Sequence, residues 1–176
     1  MIQKHTDIFQ NECTVLHFAP EEEVSKYFRK CSHITYFAAD KDTNRADCKI
    51  DMTDIPFQDG RFDYIIANHV LSYIKNEAQA IHEMKRCLKP AGRILLSFPI
   101  CMNFDTYEDY EAKERGMDLE VFGTRDNVRM YGKDYKERLE KYGLKITQYS
   151  PENELSHKEI EHLGLLADDV ILMCKK

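Results

Sequence analysis

The alternation of two kinds of apolar pattern is the feature of this chain that most limits its fold. Short runs rich in β-branched and aromatic residues predict strands, and longer segments with apolar residues at helical spacing predict helices. The predicted strands are Thr14–Phe18, Ile34–Ala39, Tyr64–Asn68, Arg93–Phe98, Lys145–Tyr149 and Val170–Cys174, and the predicted helices lie near Glu21–Lys30, Asn76–Leu88, Lys133–Tyr142 and His157–Leu163. Strands that alternate with helices indicate an α/β fold with a mostly parallel sheet and crossover helices.

One segment interrupts this alternation. Pro99–Arg129 is acidic and aromatic and has no clear strand pattern. We expect an insertion at about residues 99–130, part helix and part loop, that covers the active-site end of the sheet. The length of 176 residues and the lack of a repeat or low-complexity linker predict one domain that spans residues 1–176.

Composition argues against several classes of protein. The net charge of -6 does not suit a protein that binds nucleic acid. The first seven residues lack the apolar core of a signal peptide, and no run approaches the roughly 18 apolar residues of a membrane span. Six scattered cysteines without a C-x-x-C pair give no sign of a metal site. We therefore expect a soluble, cytoplasmic protein with a small-molecule partner and no metal, of undetermined oligomeric state.

Polar residues follow the predicted strands where each strand ends. In open parallel α/β sheets, ligands bind beyond these carboxyl ends. Asp40 ends the second strand, and its carboxylate can accept hydrogen bonds from both hydroxyls of an adenosine ribose. Equally, Asp40 can be a solvated carboxylate in the charged cluster of residues 40–42. Asp51 can reach an adenine amino group while Met52 lies on the adenine face; alternatively, Asp51 caps a turn and Met52 belongs to the core.

The middle of the chain resembles a known family. The stretch "CKIDMTDIPFQDGRFDYIIANHVLSYIKNEAQAIHEMKRCLKPAGRILLSFPI" looks like the central half of a class I S-adenosylmethionine-dependent methyltransferase. The resemblance implies that S-adenosyl-L-methionine is the cofactor. It also implies a Rossmann-like, seven-stranded, mostly parallel sheet with helices on both faces and an antiparallel last strand.

The first motif departs from that family. Most such enzymes carry a glycine-rich turn after the first strand, so that backbone can approach the cofactor closely. Here the motif is "LHFAPE", without glycine. It resembles a bacterial subgroup with the same motif and a later "LFG-x-x-DHVRVYG-x-DY" segment, which Val121–Tyr135 matches.

The "LHFAPE" motif and the fourth strand supply the candidate contacts to the methionine part of the cofactor. Glu21 would face its amino group, Phe18 and Ala19 would shape the wall beside it, and His17 and Asn68 are further candidates. Two alternatives stay open. Glu21 can serve only the positive end of the helix that begins after Pro20, and His17 can be a hydrogen-bonded structural residue.

Methyl transfer from a sulfonium is an in-line displacement, which needs alignment and, for a hydroxyl acceptor, removal of a proton. His69, one residue beyond the fourth strand, is the candidate base; alternatively, it only orients Asn68 or a backbone carbonyl. Asp126, Arg129 and Tyr131, in the subgroup-like segment, would suit a polar or anionic acceptor, or they form an ion pair that fastens the insertion to the sheet.

These residues favour a small polar acceptor, and together with the resemblance to the subgroup they lead us to expect O-methylation of a saccharide or its activated precursor. The competing hypothesis is a binding or scaffold domain that has lost its cofactor together with the glycine-rich turn. A dinucleotide oxidoreductase would need a G-x-G-x-x-G turn at this point, which "HFAPEE" does not provide.

Overall fold

The computed structural model describes residues 2–41, 46–163 and 170–176. The strands are β1 Cys13–Phe18, β2 Ile34–Asp40, β3 Cys48–Lys49, β4 Phe62–Asn68, β5 Leu88–Ser97, β6 Ile100–Cys101, β7 Tyr107–Glu108, β8 Arg129–Gly132, β9 Lys145–Tyr149 and β10 Ile171–Lys175. The helices are α1 Ile2–His5, α2 Glu22–Lys30, α3 Glu77–Cys87, α4 Asp118–Phe122, α5 Tyr135–Glu140, α6 Pro151–Glu154 and α7 His157–Leu163, with a 3₁₀ turn at Leu71–Tyr73.

Seven strands form one sheet in the order β3-β2-β1-β4-β5-β10-β9. Strands β3, β2, β1, β4 and β5 are parallel to one another, whereas β10 is antiparallel to both β5 and β9. The expected Rossmann-like sheet with an antiparallel last strand is confirmed. Within the described ranges, no helix is both long and apolar enough to cross a membrane.

The central strands are buried on both faces, which explains their continuous apolar runs. Alternate residues of β1 enter two different core clusters: Leu16 packs with Ile81 and Met84 of α3, and Val15 packs with Phe28 of α2. Crossover helices on opposite faces therefore fix β1 and β4 side by side. Their carboxyl ends lie next to each other because His17 pairs with Ile66 and Phe18 with Ala67 in the register.

Helix α3 and strand β5 follow each other without a loop. Asn76 caps the helix by accepting a hydrogen bond from the Gln79 amide at 3.2 Å, and the strand starts at Leu88 instead of the predicted Arg93. Gly92 makes this path possible, because a Cβ atom there would lie 2.9 Å from the Asp63 carbonyl oxygen.

The insertion contains a three-stranded sheet of order β6-β8-β7, so the expectation that it has no strand is wrong. Its strands are two to four residues long, too short to produce a readable alternation. Gly132 ends β8 against the chain at Phe104 and Asp105, where a Cβ atom would come within 2.3 Å of backbone atoms. The close approach of these two chain segments requires glycine.

Candidate functional site

A chain of polar contacts crosses the carboxyl edge of four adjacent strands. Ser97 of β5 donates to Asn68 Oδ1 at 3.2 Å, and Asn68 of β4 donates to Glu21 Oε1 at 3.1 Å. Glu21 Oε2 lies 3.1 Å from Nε2 of His17 in β1, and the other ring nitrogen of His17 is 3.0 Å from the Tyr36 hydroxyl of β2. The structure thus brings together His17, Glu21 and Asn68, three of the predicted cofactor contacts.

Glu21 is the charged member of this chain. Burial alone would raise its pKa, but contacts with His17, with its own backbone amide and with Asn68 outweigh burial and lower the pKa to about 2. The side chain is 46% exposed and makes no capping hydrogen bond to α2. An ionised carboxylate is therefore held at the sheet edge with part of its surface open to a cationic group.

The backbone beside Glu21 has the conformation that normally selects glycine. Ala19 has a φ of 45°, and its amide donates to the Ala39 carbonyl at 2.8 Å. A left-handed conformation costs a non-glycine residue roughly 1–2 kcal/mol. The glycine-free motif therefore keeps a glycine-like turn with alanine in it.

His69 repeats this arrangement at the end of β4. Its φ is 54°, and its amide donates to the Ser97 carbonyl at 2.8 Å. The side chain is exposed, and within the described part of the chain its ring makes no hydrogen bond. Left-handed non-glycine residues concentrate at functional sites, and here two of them end neighbouring strands. The ring of His69 is exposed to solvent at the carboxyl end of β4.

Two predicted cofactor residues lie in the interior instead. Phe18 and Met52 are each 2% exposed and belong to the same core cluster. The Phe18 side chain does not form a wall at the edge, and the Met52 side chain does not lie free to cover an adenine. Their periodic positions reflect packing, which is the alternative that the sequence left open for Met52.

The two predicted acidic residues for adenosine have different surroundings. Asp40 is half-buried at the end of β2, where its carbonyl oxygen accepts from Ile50. Asp51 Oδ1 accepts from the amide and the hydroxyl of Thr53, and Oδ2 lies 3.0 Å from Lys41 Nζ; these contacts lower the pKa of Asp51. Asp51 thus caps a turn. Residue 42 of the charged cluster lies outside the described residues.

A cavity of about 440 Å³ adjoins Asp51 and extends to the insertion. Its volume is in the range of small-molecule sites. It is lined by Lys41, Asp51, Thr53, Tyr73, Ile74, Lys75, Asn76, Tyr110, Lys113, Glu114, Asp126 and Val128. Asp126, predicted as a catalytic residue, is on its rim, has a φ of 68° and pairs with Lys113 at 2.5 Å.

Arg129 and Tyr131 do not join Asp126 at the cavity. Arg129 is fully buried, donates to the carbonyls of Leu71 and Ile74 at 2.7 and 3.1 Å, and pairs with Glu108 at 2.7 Å. Tyr131 is also fully buried and donates to Glu77 at 2.5 Å. The predicted Arg–Tyr–Asp grouping is not formed. Arg129 and Tyr131 instead make buried contacts that attach the insertion to the rest of the domain, as in the alternative interpretation of these residues.

Sequence reasoning missed the acidic partners of this network. Glu77 is 2% exposed and accepts from Tyr131, from Tyr142 at 2.9 Å and from Arg138 at 2.7 Å. The available signal was a glutamate on the face of α3 that carries Ala80, since a charge on an apolar face predicts a buried partner. No group of three or more His, Cys, Asp or Glu residues that could hold a metal occurs among the described residues.

Comparisons with known proteins agree with the fold. Residues 22–96 match the family model described as "Methyltransferase domain". A putative methyltransferase from Bacillus halodurans C-125 covers 94% of this chain and 92% of its own, at a TM-score of 0.59 and 16% identity. An S-adenosylmethionine-dependent methyltransferase from Archaeoglobus fulgidus covers 99% of this chain and 91% of its own, at a TM-score of 0.63 and 12% identity. At such identities these structures establish the fold alone.

Among curated proteins, the uncharacterized protein MJ1123 of Methanocaldococcus jannaschii is 42% identical over 43 residues. That segment is 24% of this chain and 21% of the relative, so the match spans about a fifth of the relative's length. The subgroup with the "LHFAPE" motif is not identified by these matches and stays a prediction. Residues 22–96 thus resemble a methyltransferase domain, and the solved structures share the fold.

Proposed function

We propose that this protein transfers a methyl group from S-adenosylmethionine to a small polar acceptor, with a saccharide or its activated precursor as the first candidate class. The observation that carries the proposal is the ionised Glu21 beside the left-handed turn at Ala19, at the carboxyl edge of β1 and β4. S-adenosylmethionine would supply an electrophilic methyl group together with two cationic groups, the sulfonium and the α-ammonium. A fixed carboxylate at that edge suits such a ligand.

The residues present fit the cofactor at three points. Glu21 can accept a hydrogen bond from the α-ammonium group while Asn68 and His17 hold its carboxylate in place. Asp40 ends β2, where a ribose is expected. Asp51 and Thr53 border the cavity on its sheet side, where an adenine would follow the ribose. These positions run along one edge of the sheet in the order of the parts of the cofactor.

His69 is the residue proposed to take the proton from an acceptor hydroxyl. Its ring is exposed, and its neighbour Asn68 belongs to the polar chain that holds Glu21. Replacing it with asparagine should lower kcat by about 10²- to 10⁴-fold, the usual contribution of a general base, and leave cofactor affinity unchanged. His82→Asn, an exposed histidine on α3, is the matched control. An unchanged kcat in His69→Asn would mean that His69 is not the base and only orients Asn68 or a backbone carbonyl.

Calorimetric titration with S-adenosylmethionine and S-adenosylhomocysteine tests the proposal directly. We expect micromolar binding by the wild-type protein and its loss in Asp40→Ala. Asp105→Ala serves as control, because its carboxylate is 70% exposed and lies on the insertion. No binding by the folded wild-type protein would favour the scaffold hypothesis.

A second variant tests the role of Glu21 by comparing two ligands, one with the amino-acid part of the cofactor and one without it. Glu21→Gln keeps the side-chain size and removes the charge. It should weaken S-adenosylhomocysteine binding by about 10- to 100-fold, which corresponds to one charge-assisted hydrogen bond. It should not change binding of 5′-methylthioadenosine, which lacks the amino-acid part. Equal loss for both ligands would mean that Glu21 acts on the turn and not on the ammonium group.

A further inference from the structure

The cavity next to Asp51 has two walls that come from distant parts of the chain. Lys41, Asp51 and Thr53 form the wall on the sheet side, and Tyr110 and Lys113 are part of the wall formed by the insertion. We propose that the insertion binds the adenine end of the cofactor, with the Tyr110 ring as a stacking surface for the base. This inference rests on the proposed function, and it assigns the cavity to the cofactor instead of the acceptor.

Two tyrosine rings make the cavity suitable for a flat heterocycle. Tyr73 and Tyr110 both line it, and they remain 44% and 40% exposed. Both side chains therefore keep surface that a ligand in the cavity can contact. A purine stacks on tyrosine through its π-face, and such contacts contribute about 1–3 kcal/mol per base.

The buried network gives the Tyr110 ring a fixed support. The Tyr110 hydroxyl interacts with Glu108, and Glu108 accepts hydrogen bonds from Arg129 at 2.7 Å and Arg138 at 2.6 Å. Arg129 is fully buried and is bonded to carbonyls of the 3₁₀ segment that carries Tyr73. Arg129 therefore connects to the surroundings of both tyrosines.

The charges at the rim favour an uncharged base over a phosphate. Each lysine of the lining pairs with a carboxylate of the lining: Lys41 with Asp51 at 3.0 Å, Lys75 with Glu114 at 3.6 Å, and Lys113 with Asp126 at 2.5 Å. An anion would have to break these pairs to find a positive partner. Adenine needs only acceptors for its amino group and donors for its ring nitrogens, and the rim offers both.

The pair between Lys75 and Glu114 joins the insertion to the segment that follows the 3₁₀ turn. Its side chains are 60% and 73% exposed, and its separation of 3.6 Å is long for a hydrogen bond. Exposed pairs of this kind contribute little to stability. The attachment of the insertion to the 3₁₀ segment therefore depends on the buried hydrogen bonds of Arg129 and not on this exposed pair.

Fluorescence offers a direct test because the chain contains no tryptophan. Tyr110→Trp introduces a single reporter in the cavity, and stacking of adenine on it should quench its emission when S-adenosylhomocysteine or 5′-methylthioadenosine is added. Tyr107→Trp is the matched control: Tyr107 is 50% exposed in the same insertion and is absent from the cavity lining. We expect quenching in the first variant and none in the second.

Calorimetry completes the test. Tyr110→Ala should weaken both ligands by about 5- to 100-fold, whereas Tyr110→Phe, which keeps the ring, and Tyr107→Ala should stay within about threefold of wild type. Wild-type binding with no quenching of Tyr110→Trp and no affinity loss in Tyr110→Ala would refute the inference and leave the proposed function standing. A raised acceptor KM at unchanged cofactor affinity would instead assign the cavity to the acceptor. Absence of binding by the wild-type protein would overturn both.

Discussion

Replacing Glu77 with glutamine should lower the free energy of unfolding by about 3 kcal/mol. Glu77 is 2% exposed, and its two oxygens accept from Arg138, Tyr131 and Tyr142, with Arg129 Nε 3.7 Å away. Glutamine keeps the volume but removes the negative charge and presents an amide donor to groups that are themselves donors.

The magnitude follows from the charge balance of the network. Two carboxylates, Glu77 and Glu108, face two guanidinium groups, Arg129 and Arg138, so the wild-type group is neutral. The variant leaves one positive charge in excess beside the fully buried Arg129. Breaking a buried pair costs about 3–5 kcal/mol. The lower end applies because Arg138 is 21% exposed and Glu108 still contacts both arginines.

Urea unfolding followed by circular dichroism measures this loss, and the melting temperature should fall by about 6–12 °C. The control is Glu22→Gln, since Glu22 is 81% exposed and pairs only with Lys26 among the described residues; it should cause no measurable change. A loss below about 1 kcal/mol in Glu77→Gln would refute the idea that a charge-balanced network fastens the insertion to α3.

Two further predictions concern the first motif. Ala19→Gly should be neutral or stabilising by up to about 1 kcal/mol, because relief of the left-handed strain exceeds or offsets the added freedom of the unfolded chain; Ala19→Val should lower the melting temperature. The pKa of Glu21 is about 2 in the folded protein against an ordinary 4.5, so its stabilising contribution is present above pH 4.5 and disappears as the pH falls toward 2. Since the side chain is 46% exposed, solvent screening limits this contribution to about 1 kcal/mol, and urea titrations at pH 3 and 6 should show a smaller difference in Glu21→Gln.

The sequence predicts those helices and strands that are long enough to show a periodic pattern of apolar residues. Helix α3 was expected at about Asn76–Leu88 and runs from Glu77 to Cys87, because eleven residues give three turns of apolar spacing and a clear asparagine cap. Strand β9 has the predicted bounds, Lys145–Tyr149. The seven-stranded sheet with an antiparallel last strand was implied by the family resemblance, since periodicity does not determine which strands pair.

The burial of Arg129 and Tyr131 could not be predicted because the strand that carries them was not recognised in the sequence. Both residues lie on β8, where they alternate with the less buried Met130 and share one face. With the strand unrecognised, the two-residue period could not be applied to decide which side chains point inward. A motif gives residue types and their order, but the direction of each side chain depends on the element that carries it.

Three members of the polar chain, His17, Glu21 and Asn68, were predicted as site residues. Their contacts with one another and with Ser97 and Tyr36 were not, because these contacts depend on which strands are neighbours in the sheet. The middle contact of the chain, Asn68 to Glu21, explains how the glycine-free motif keeps its geometry. A strained conformation persists only where its surroundings determine it. At Ala19 the constraints are the hydrogen bond from its amide to the Ala39 carbonyl on one side and the anchored Glu21 on the other. The contact that would hold Glu21 toward a cofactor therefore also holds the turn.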